Sequence, residues 1–198
     1  MKKSIFKIIY DFIGIPFRLV LLPDKWNKKL GFTSLEDERI YTVLPEIKGK
    51  LLDIGCGNNR LVREYGNGIG IDVYKWNDDV ILYDGENLPF EDESFDTITF
   101  LASLNHIPKR EKLVKEARRV LKPNGKVVLT MINPFLGYIG HKIWWYGEDR
   151  ERGMEEGEKG GLSNKYIRNL FEKENFKLEK HKRFVYFLNN LFVYKKIK

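Results

Sequence analysis

The sequence predicts an α/β protein built on a mostly parallel sheet, and three observations carry that expectation. Short apolar runs rich in Val, Ile and Leu alternate with stretches whose apolar residues recur at helical spacing. The first of those runs, Leu51-Leu52-Asp53-Ile54, passes directly into Gly55-Cys56-Gly57, where the missing Cβ atoms let the backbone turn sharply and approach a ligand. The C-terminal tail then breaks the alternation with two strand-like runs in succession. Such a pair cannot form a parallel crossover unit, so it adds an antiparallel edge.

The chain opens with Met1-Lys2-Lys3 and an apolar stretch, an arrangement that imitates a secretory leader. Lys7, Asp11 and Arg18 interrupt it, and no small-residue cleavage site follows. No stretch reaches the roughly 20 apolar residues that a bilayer crossing needs. Ile5, Phe6, Ile8, Ile9, Phe12 and Ile13 instead share one face of a helix, with Lys2, Lys3, Lys7 and Asp11 off that face. Gly14 and Pro16 end this helix, and residues 17–22 supply a second apolar patch. Two readings of the arm stay open: a helix packed on its own domain or on a second subunit, and an interfacial anchor on anionic lipid.

Ser34 and Asp37 form a capping-box pattern ahead of a helix that carries Ile40, Val43 and Leu44 and is closed by Pro45. A strand is expected over residues 50–54, a short helix over 60–65, and strands over 68–73, 80–83 and 95–101. Leu113, Val114, Ala117, Val120 and Leu121 line one face of a helix over 110–121. Pro123-Asn124-Gly125 turns the chain into a strand over 126–132. Strands alternating with helices imply βαβ units with right-handed crossovers. Residues 133–162 hold glycines, aromatics and charge but no clear strand, which marks a lid or binding insertion. Ser163 or Asn164 caps a helix through Phe171, and strands over 176–186 and 191–195 are joined at Asn189-Asn190. The chain thus divides into an amphipathic arm, 1–33, and one domain, 34–198, with the insertion at about 133–162.

Composition bounds the rest. Of 198 residues, 42% are apolar and 32% charged, a globular balance that excludes an intrinsically disordered chain. The length suits one α/β domain with a substantial core. Thirty-five basic residues against 28 acidic ones give a net charge of +7, which favours anionic partners such as lipid headgroups, phosphorylated metabolites or nucleic acid. The single cysteine, Cys56, excludes an intrachain disulfide framework and a Cys-rich zinc site. It implies a reducing, cytoplasmic compartment, and its place between two glycines suits a small filler beside the turn better than a nucleophile. No metal site is expected.

In an open α/β sheet, ligands bind beyond the carboxyl ends of the strands, where strand order reverses. Asp72 ends the expected strand Gly68-Ile69-Gly70-Ile71-Asp72, 19 residues after Asp53. A carboxylate there can accept from both hydroxyls of a ribose. That spacing also fits a dinucleotide site, which expects a third glycine at position 60. The chain has Arg60 instead, expected to crowd a pyrophosphate approaching the helix, and an acidic Asp53 disfavours a pyrophosphate while suiting a ligand with an ammonium and a sulfonium.

The segments LLDIGCG (51–57), GIDV (70–73), DGENLPFEDESFDTITFLASLNHIP (84–108) and EARRVLKPNGKVVLTM (116–131) together resemble the class I S-adenosylmethionine-dependent methyltransferases, in the group often called type 11. The likeness spans residues 51–132. It implies a Rossmann-like seven-stranded, mostly parallel sheet with an antiparallel C-terminal hairpin strand, helices on both faces, and S-adenosylmethionine as cofactor with S-adenosylhomocysteine as product. Residue by residue, it implies Asp53, Gly55, Cys56 and Gly57 around the methionine part, and Asp72 with Val73 at the ribose. Asp84, Gly85 and Glu86 would meet the adenine, and the carbonyls of Leu101 and Ala102 the ammonium. Asn58-Asn59 stands where many relatives carry a further glycine.

The acceptor is less legible. His106 follows the fourth strand in Ser103-Leu104-Asn105-His106, where a general base would face an acceptor; a structural histidine capping the turn before Pro108 is the other reading. Tyr138, His141, Trp144, Trp145 and Tyr146 cluster in the insertion, as walls of a substrate pocket, a lipid-facing rim or core. A small-molecule or lipid-linked acceptor is the leading expectation, with peripheral membrane contact through residues 1–22 at the inner membrane face, or a homodimer through the same arm. Methylation of RNA is an alternative suggested by the basic tail, although Ser103-Leu104-Asn105-His106 stands where an Asn-Pro-Pro-Tyr type motif would be. A non-catalytic S-adenosylmethionine-binding subunit is another.

Overall fold

In the computed structural model, residues 3–15, 17, 18, 22, 24–132, 157 and 160–197 are described. Their strands are β1 Leu51–Ile54, β2 Gly68–Asp72, β3 Val80–Leu82, β4 Phe95–Leu101, β5 Leu121–Ile132, β6 Phe176–Phe184 and β7 Asn189–Lys196. They form one sheet in the order β3-β2-β1-β4-β5-β7-β6. β1 to β5 pair in parallel, and β7 is inserted antiparallel between β5 and β6. The helices are α1 Ile5–Ile13, α2 Asp24–Lys29, α3 Leu35–Val43, α4 Arg60–Tyr65, α5 Arg110–Val120 and α6 Asn164–Lys173. From β1 the chain builds outward through β2 to β3, then returns to lay β4 on the other side of β1. This reversal leaves the carboxyl ends of β1 and β4 beside an open crevice.

The two faces of the sheet are read directly from strand alternation. Leu52, Ile54, Val127, Leu129, Met131, Phe192 and Tyr194 enter one core with Leu113, Val114 and Ala117 of α5 and Ile167, Leu170 and Phe171 of α6. Leu51, Val128, Leu191 and Val193 point the opposite way and pack with Ile40 and Val43 of α3 and Leu61 and Val62 of α4. Period-two side chains from strands buried on both sides account for the continuous apolar runs. Ser34 caps α3 in a reciprocal box: its Oγ accepts from the Asp37 N–H, and Asp37 accepts from the Ser34 N–H. Ser163, rather than Asn164, caps α6 through the N–H of Tyr166.

Two turns differ from expectation. Pro123-Asn124-Gly125 lies within β5, where the partner register jumps from Phe95–Leu121 to Thr97–Lys126 and Asn124 takes φ +61°. The turn residues therefore bulge out of a strand that already began at Leu121. The tail hairpin does not turn at Asn189-Asn190. It turns over 185–188, with Val185, Tyr186 and Phe187 at φ +46°, +55° and +66°, while both asparagines are buried in β7. Asn189 Oδ1 accepts from Arg39 Nε (3.4 Å), and Asn190 bonds His181 Nε2 (2.9 Å). Buried polar partners have overridden the turn preference of the Asn-Asn dipeptide.

The arm attaches by its polar side. Asp11 is buried, and its carboxylate accepts from Lys3 Nζ (2.8 Å), Lys7 Nζ (3.0 Å), the Thr33 N–H (3.0 Å) and Thr33 Oγ1 (2.7 Å). Burial alone would raise this carboxyl, but Lys3, Thr33 and Lys7 outweigh it and hold it far below the usual carboxylate range. The buried Arg18 guanidinium donates to the Asp11 carbonyl (2.7 Å), the Thr33 carbonyl (2.8 Å) and Glu38 (3.1 Å). Gly14 permits the close approach of Phe32, whose ring would lie 2.2 Å from a Cβ there.

Candidate functional site

The site begins where β1 ends. Gly55 and Gly57 take φ +69° and +52°, the left-handed region where a side chain is costly and glycine is not. Gly55 has a second reason: a Cβ there would lie 2.5 Å from Ser103 Cβ. Ser103 Oγ donates to the Ile54 carbonyl at 2.6 Å, so the segment after β4 is fastened to the end of β1. Leu101, Ala102 and Ser103 are thereby brought beside the glycine turn, with Ala102 itself at φ +59°.

Asp72, at the end of β2, faces the same turn. One of its carboxylate oxygens accepts from the Gly57 N–H (2.9 Å) and the other from the Tyr74 N–H (3.1 Å). Each oxygen keeps a further lone pair, so a diol can still be accommodated. The Gly55 and Cys56 N–H groups donate to the Ile71 carbonyl (2.9 and 3.1 Å), locking the turn against β2. Asn59 adopts φ +62° at the start of α4. Asparagine tolerates that region better than other side chains, which explains how the turn forms without a further glycine. Its Nδ2 donates to the Asp79 carbonyl (2.9 Å), and the absence of a Cβ at Gly70 leaves room for its Oδ1.

Asp53 lies beneath the turn and is 1% exposed. Its Oδ1 accepts from Thr99 Oγ1 at 2.6 Å. Burial, reinforced by the neighbouring Asp72 charge and only partly offset by the Thr99 hydrogen bond, pushes its carboxyl up to about 7. A buried carboxyl poised at neutrality becomes an ion most readily when positive charge arrives above it. Burial, with Asp53 and Asp72 nearby, pushes the Cys56 thiol up instead, the opposite of what a thiolate nucleophile requires.

The third strand contributes Asp84, Gly85 and Glu86. The Asp84 carboxylate accepts from the N–H groups of Asn87 (2.7 Å) and Glu86 (2.8 Å) and from Asn87 Nδ2 (3.0 Å). These bonds lower it to about 2 and shape the loop after β3. Gly85, at φ +78°, would place a Cβ 3.3 Å from Val73, so the loops after β2 and β3 touch. Glu86 is held by Lys109 and by Lys112 (2.9 Å). His106 closes the 3₁₀ turn Leu104–His106 at the same edge, and its N–H donates to the Ser103 carbonyl (2.9 Å).

Arg60 does not stand over the glycine turn. Its guanidinium reaches α3, bonding Glu36 (2.9 Å) and Asp37, and Glu64 (2.8 Å) on its own helix. Thr99, Ser103 and Gly70 were not singled out from the sequence, because their roles depend on cross-strand neighbours. Ser103 had one signal, its place directly after a strand that ends at the crevice. Tyr138, His141, Trp144, Trp145 and Tyr146 lie outside the described residues. Among the described residues, no group of three or more His, Cys, Asp or Glu side chains is placed to hold a metal ion, and no helix is long and apolar enough to cross a membrane.

Two left-handed glycines at a strand-order reversal, with carboxylates ending or underlying three adjacent strands, have the chemistry of an α/β nucleoside site suited to a diol and a positive charge. Comparison with known proteins is specific about which. The family described as the methyltransferase domain matches residues 52–129. The uncharacterized protein MJ1123 of Methanocaldococcus jannaschii is 30% identical over 166 residues, covering 78% of this chain and 77% of that protein. The 27-O-demethylrifamycin SV methyltransferase of Amycolatopsis mediterranei is 34% identical over 144 residues, covering 55% and 53%, so the chain spans about half of that relative's length. A crystal structure of an S-adenosylmethionine-dependent methyltransferase from Thermotoga maritima shares the fold with a TM-score of 0.67 at 17% identity, covering 96% of this chain and 99% of that one. The chain belongs to the class I S-adenosylmethionine-dependent methyltransferase family, and its cofactor is S-adenosylmethionine.

Proposed function

We propose that this methyltransferase acts on a small-molecule or lipid-linked acceptor, with the cofactor held across the ends of β1, β2, β3 and β4. The observation that carries the cofactor placement is Asp72. Its carboxylate is anchored by one backbone N–H on each oxygen and retains acceptor capacity toward the crevice. In this reading Asp72 and Val73 hold the ribose, and Asp84, Gly85 and Glu86 form the adenine wall. Gly55, Cys56 and Gly57 border the methionine moiety, whose ammonium meets the Leu101 and Ala102 carbonyls. Asp53 supports that cation from beneath the turn. The donor set fits: three carboxyl groups and two strand-end carbonyls suit a cationic, diol-bearing molecule and would repel a pyrophosphate.

When bound, S-adenosylmethionine supplies an electrophilic methyl carbon and a thioether leaving group. The chain's own task is to hold the acceptor atom about 3–3.5 Å from that carbon and in line with it, with water excluded. His106, on the turn after β4, is the proposed general base for acceptors that must lose a proton. Tyr138, His141, Trp144, Trp145 and Tyr146 are proposed to wall the acceptor. The A. mediterranei relative is named for a small-molecule acceptor, which supports that class here. We place the protein in the cytoplasm, at the inner membrane face.

Calorimetry with S-adenosylhomocysteine tests the site: binding is expected for the wild type and strongly weakened in Asp72→Ala. Incubation with methyl-labelled cofactor and a cell extract, followed by fractionation, tests the acceptor. Label in a small organic or lipid fraction supports the proposal. Label in RNA, or no label with intact cofactor binding, refutes it in favour of a nucleic-acid enzyme or a binding-only subunit.

A further inference from the structure

Helix α1 is docked inside out. The face bearing Lys7 and Asp11, joined by Lys3 just before the helix, is turned inward onto Thr33 and Glu38, while the apolar face is open. Ile5 is 63% exposed, Phe6 81%, Phe12 59% and Ile13 71%. An amphipathic helix ordinarily buries its apolar stripe. Here a buried carboxylate with four hydrogen-bond partners and a buried arginine fix the reverse orientation, so the exposure is built rather than incidental. An open apolar stripe of this length marks an interaction surface.

The stripe is not alone. The Phe12 ring packs edge-on against Tyr186 (centroids 5.6 Å), in the turn between β6 and β7, and the next residue, Phe187, is 73% exposed. Arg18 ties the same turn to the arm through the Tyr186 hydroxyl (3.4 Å). The end of α2 is tied to α1, since the Tyr10 hydroxyl donates to the Leu30 carbonyl (2.8 Å), and α2 carries exposed Lys25, Lys28 and Lys29, with Lys29 Nζ 4.9 Å from the ring centre of the exposed Trp26. Lys182 and Arg183, also exposed, precede the hairpin turn. Exposed Ile and Phe together with an exposed tryptophan and neighbouring lysines match the chemistry of an anionic bilayer surface.

The surface lies at the site's edge of the sheet. The hairpin turn precedes β7, whose first residue, Asn189, pairs with Ile132 at the carboxyl end of β5. The arm reaches Glu38 of α3, and the first turn of α3 holds Asn58 (3.3 Å) and Arg60, which directly follow the glycine turn. We infer that the exposed face of α1, with Phe187 and the lysines of α2, docks on an anionic phospholipid surface and brings the mouth of the methyl-transfer site to acceptors held in that surface. The inference rests on the lipid-linked acceptor reading above and names where such an acceptor is met.

Flotation of the full-length protein with vesicles of phosphatidylcholine alone, or with one quarter phosphatidylglycerol, tests it. Binding is expected to the anionic vesicles and to fall with salt. The double variant Phe6→Ser/Ile13→Ser should lower partitioning at least ~tenfold, since each deletes a large apolar side chain from the buried layer. Phe187→Asn, which keeps a residue tolerant of the left-handed turn, should lower it as well. Lys25→Glu/Lys28→Glu/Lys29→Glu should weaken anionic binding about 100-fold or more. All the residues substituted in these three variants are exposed, so S-adenosylhomocysteine affinity should match the wild type and report folding separately. Absence of wild-type flotation, equal flotation of the variants, or a dimer in light scattering that Phe6→Ser/Ile13→Ser dissociates would overturn the inference. Intact cofactor binding in those outcomes leaves the methyltransferase reading in place.

Discussion

Asp53→Asn should make the protein more stable at alkaline pH while weakening its hold on the cofactor. The Asp53 carboxyl is pushed from 3.8 to about 7 by burial. Its folded-state value lies above its unfolded one, so between those values the native state keeps a proton that the unfolded chain has released. The stability this group contributes is fully present below about pH 4 and is lost as pH rises through 7. Between pH 5 and pH 7 that loss spans about two units, and at roughly 1.36 kcal/mol per unit it amounts to about 3 kcal/mol. Asparagine keeps an oxygen for Thr99 Oγ1 but carries no charge, so the loss should vanish from its pH profile. Thermal unfolding of both proteins at pH 5 and pH 8 measures this. The difference in Tm should move in favour of Asp53→Asn by about 6–12 °C from the lower to the higher pH, at 2–4 °C per kcal/mol for a chain of this size. In parallel, S-adenosylmethionine should bind the variant about tenfold more weakly at pH 8, because the anion beneath its ammonium is gone. A Tm difference that is the same at both pH values would refute the assignment of a buried, neutral carboxyl. Unchanged affinity would refute its electrostatic role.

Asp72→Ala should weaken S-adenosylhomocysteine binding about 100-fold or more by calorimetry, as two hydrogen bonds to a charged group are worth about 1.5–3 kcal/mol each; a loss under fivefold would move the ribose elsewhere. Gly55→Ala should cost roughly 1–3 kcal/mol in denaturant unfolding and abolish cofactor binding, because the new Cβ meets Ser103 at 2.5 Å in a left-handed conformation. Asp11→Ala should release the arm at neutral pH, read as faster hydrogen exchange over residues 5–13, since breaking a buried ion cluster costs about 3–5 kcal/mol. In the wild type the Asp11 carboxyl is depressed, so its contribution is present above about pH 4 and lost only as pH falls further; arm protection that changes between pH 5 and 8 would contradict this. His106→Gln should lower kcat about 10²–10⁴-fold with cofactor affinity unchanged if the acceptor must lose a proton, and an unchanged kcat would reduce the histidine to a structural part of its turn.

What the sequence made legible follows from how local each feature is. β1, α4, β4 and the capping box at Ser34 were readable because apolar alternation, a glycine pair and a Ser/Asp spacing act over a few residues. The antiparallel character of the tail is readable from two successive strand runs without a helix between them, whereas the insertion of β7 between β5 and β6 follows from the family resemblance. The hairpin turn was misplaced because Asn189-Asn190 is a good turn dipeptide only when its amides are free. Here they meet Arg39, 150 residues away, and His181. Thr99 beneath Asp53 and Ser103 on Ile54 are contacts across 46 and 49 residues, which no window of sequence displays. Arg60 illustrates the opposite error of inference. Its type correctly argued against a third glycine, yet its side chain serves α3 rather than crowding the turn.

The same locality separates the two halves of the enzyme. Everything proposed to hold the cofactor lies in residues 53–102 and is positioned by adjacent parallel strands, whose register one contiguous segment determines. On the acceptor side as proposed above, the described residues come from distant parts of the chain: the arm, the turn over 185–188 and α3, joined by side chains such as Arg18, which bridges Asp11, Thr33, Glu38 and Tyr186. A polar latch of this kind has a physical consequence that an apolar one would lack. Burying the Ile and Phe stripe of α1 against the domain would have secured the arm more simply, at roughly 1.5–3 kcal/mol per large side chain. Using Asp11 and Arg18 instead leaves that stripe available and fixes its direction. The arm's amphipathicity, ambiguous as sequence, becomes interpretable only with its orientation, and that orientation rests on a buried carboxylate and a buried guanidinium.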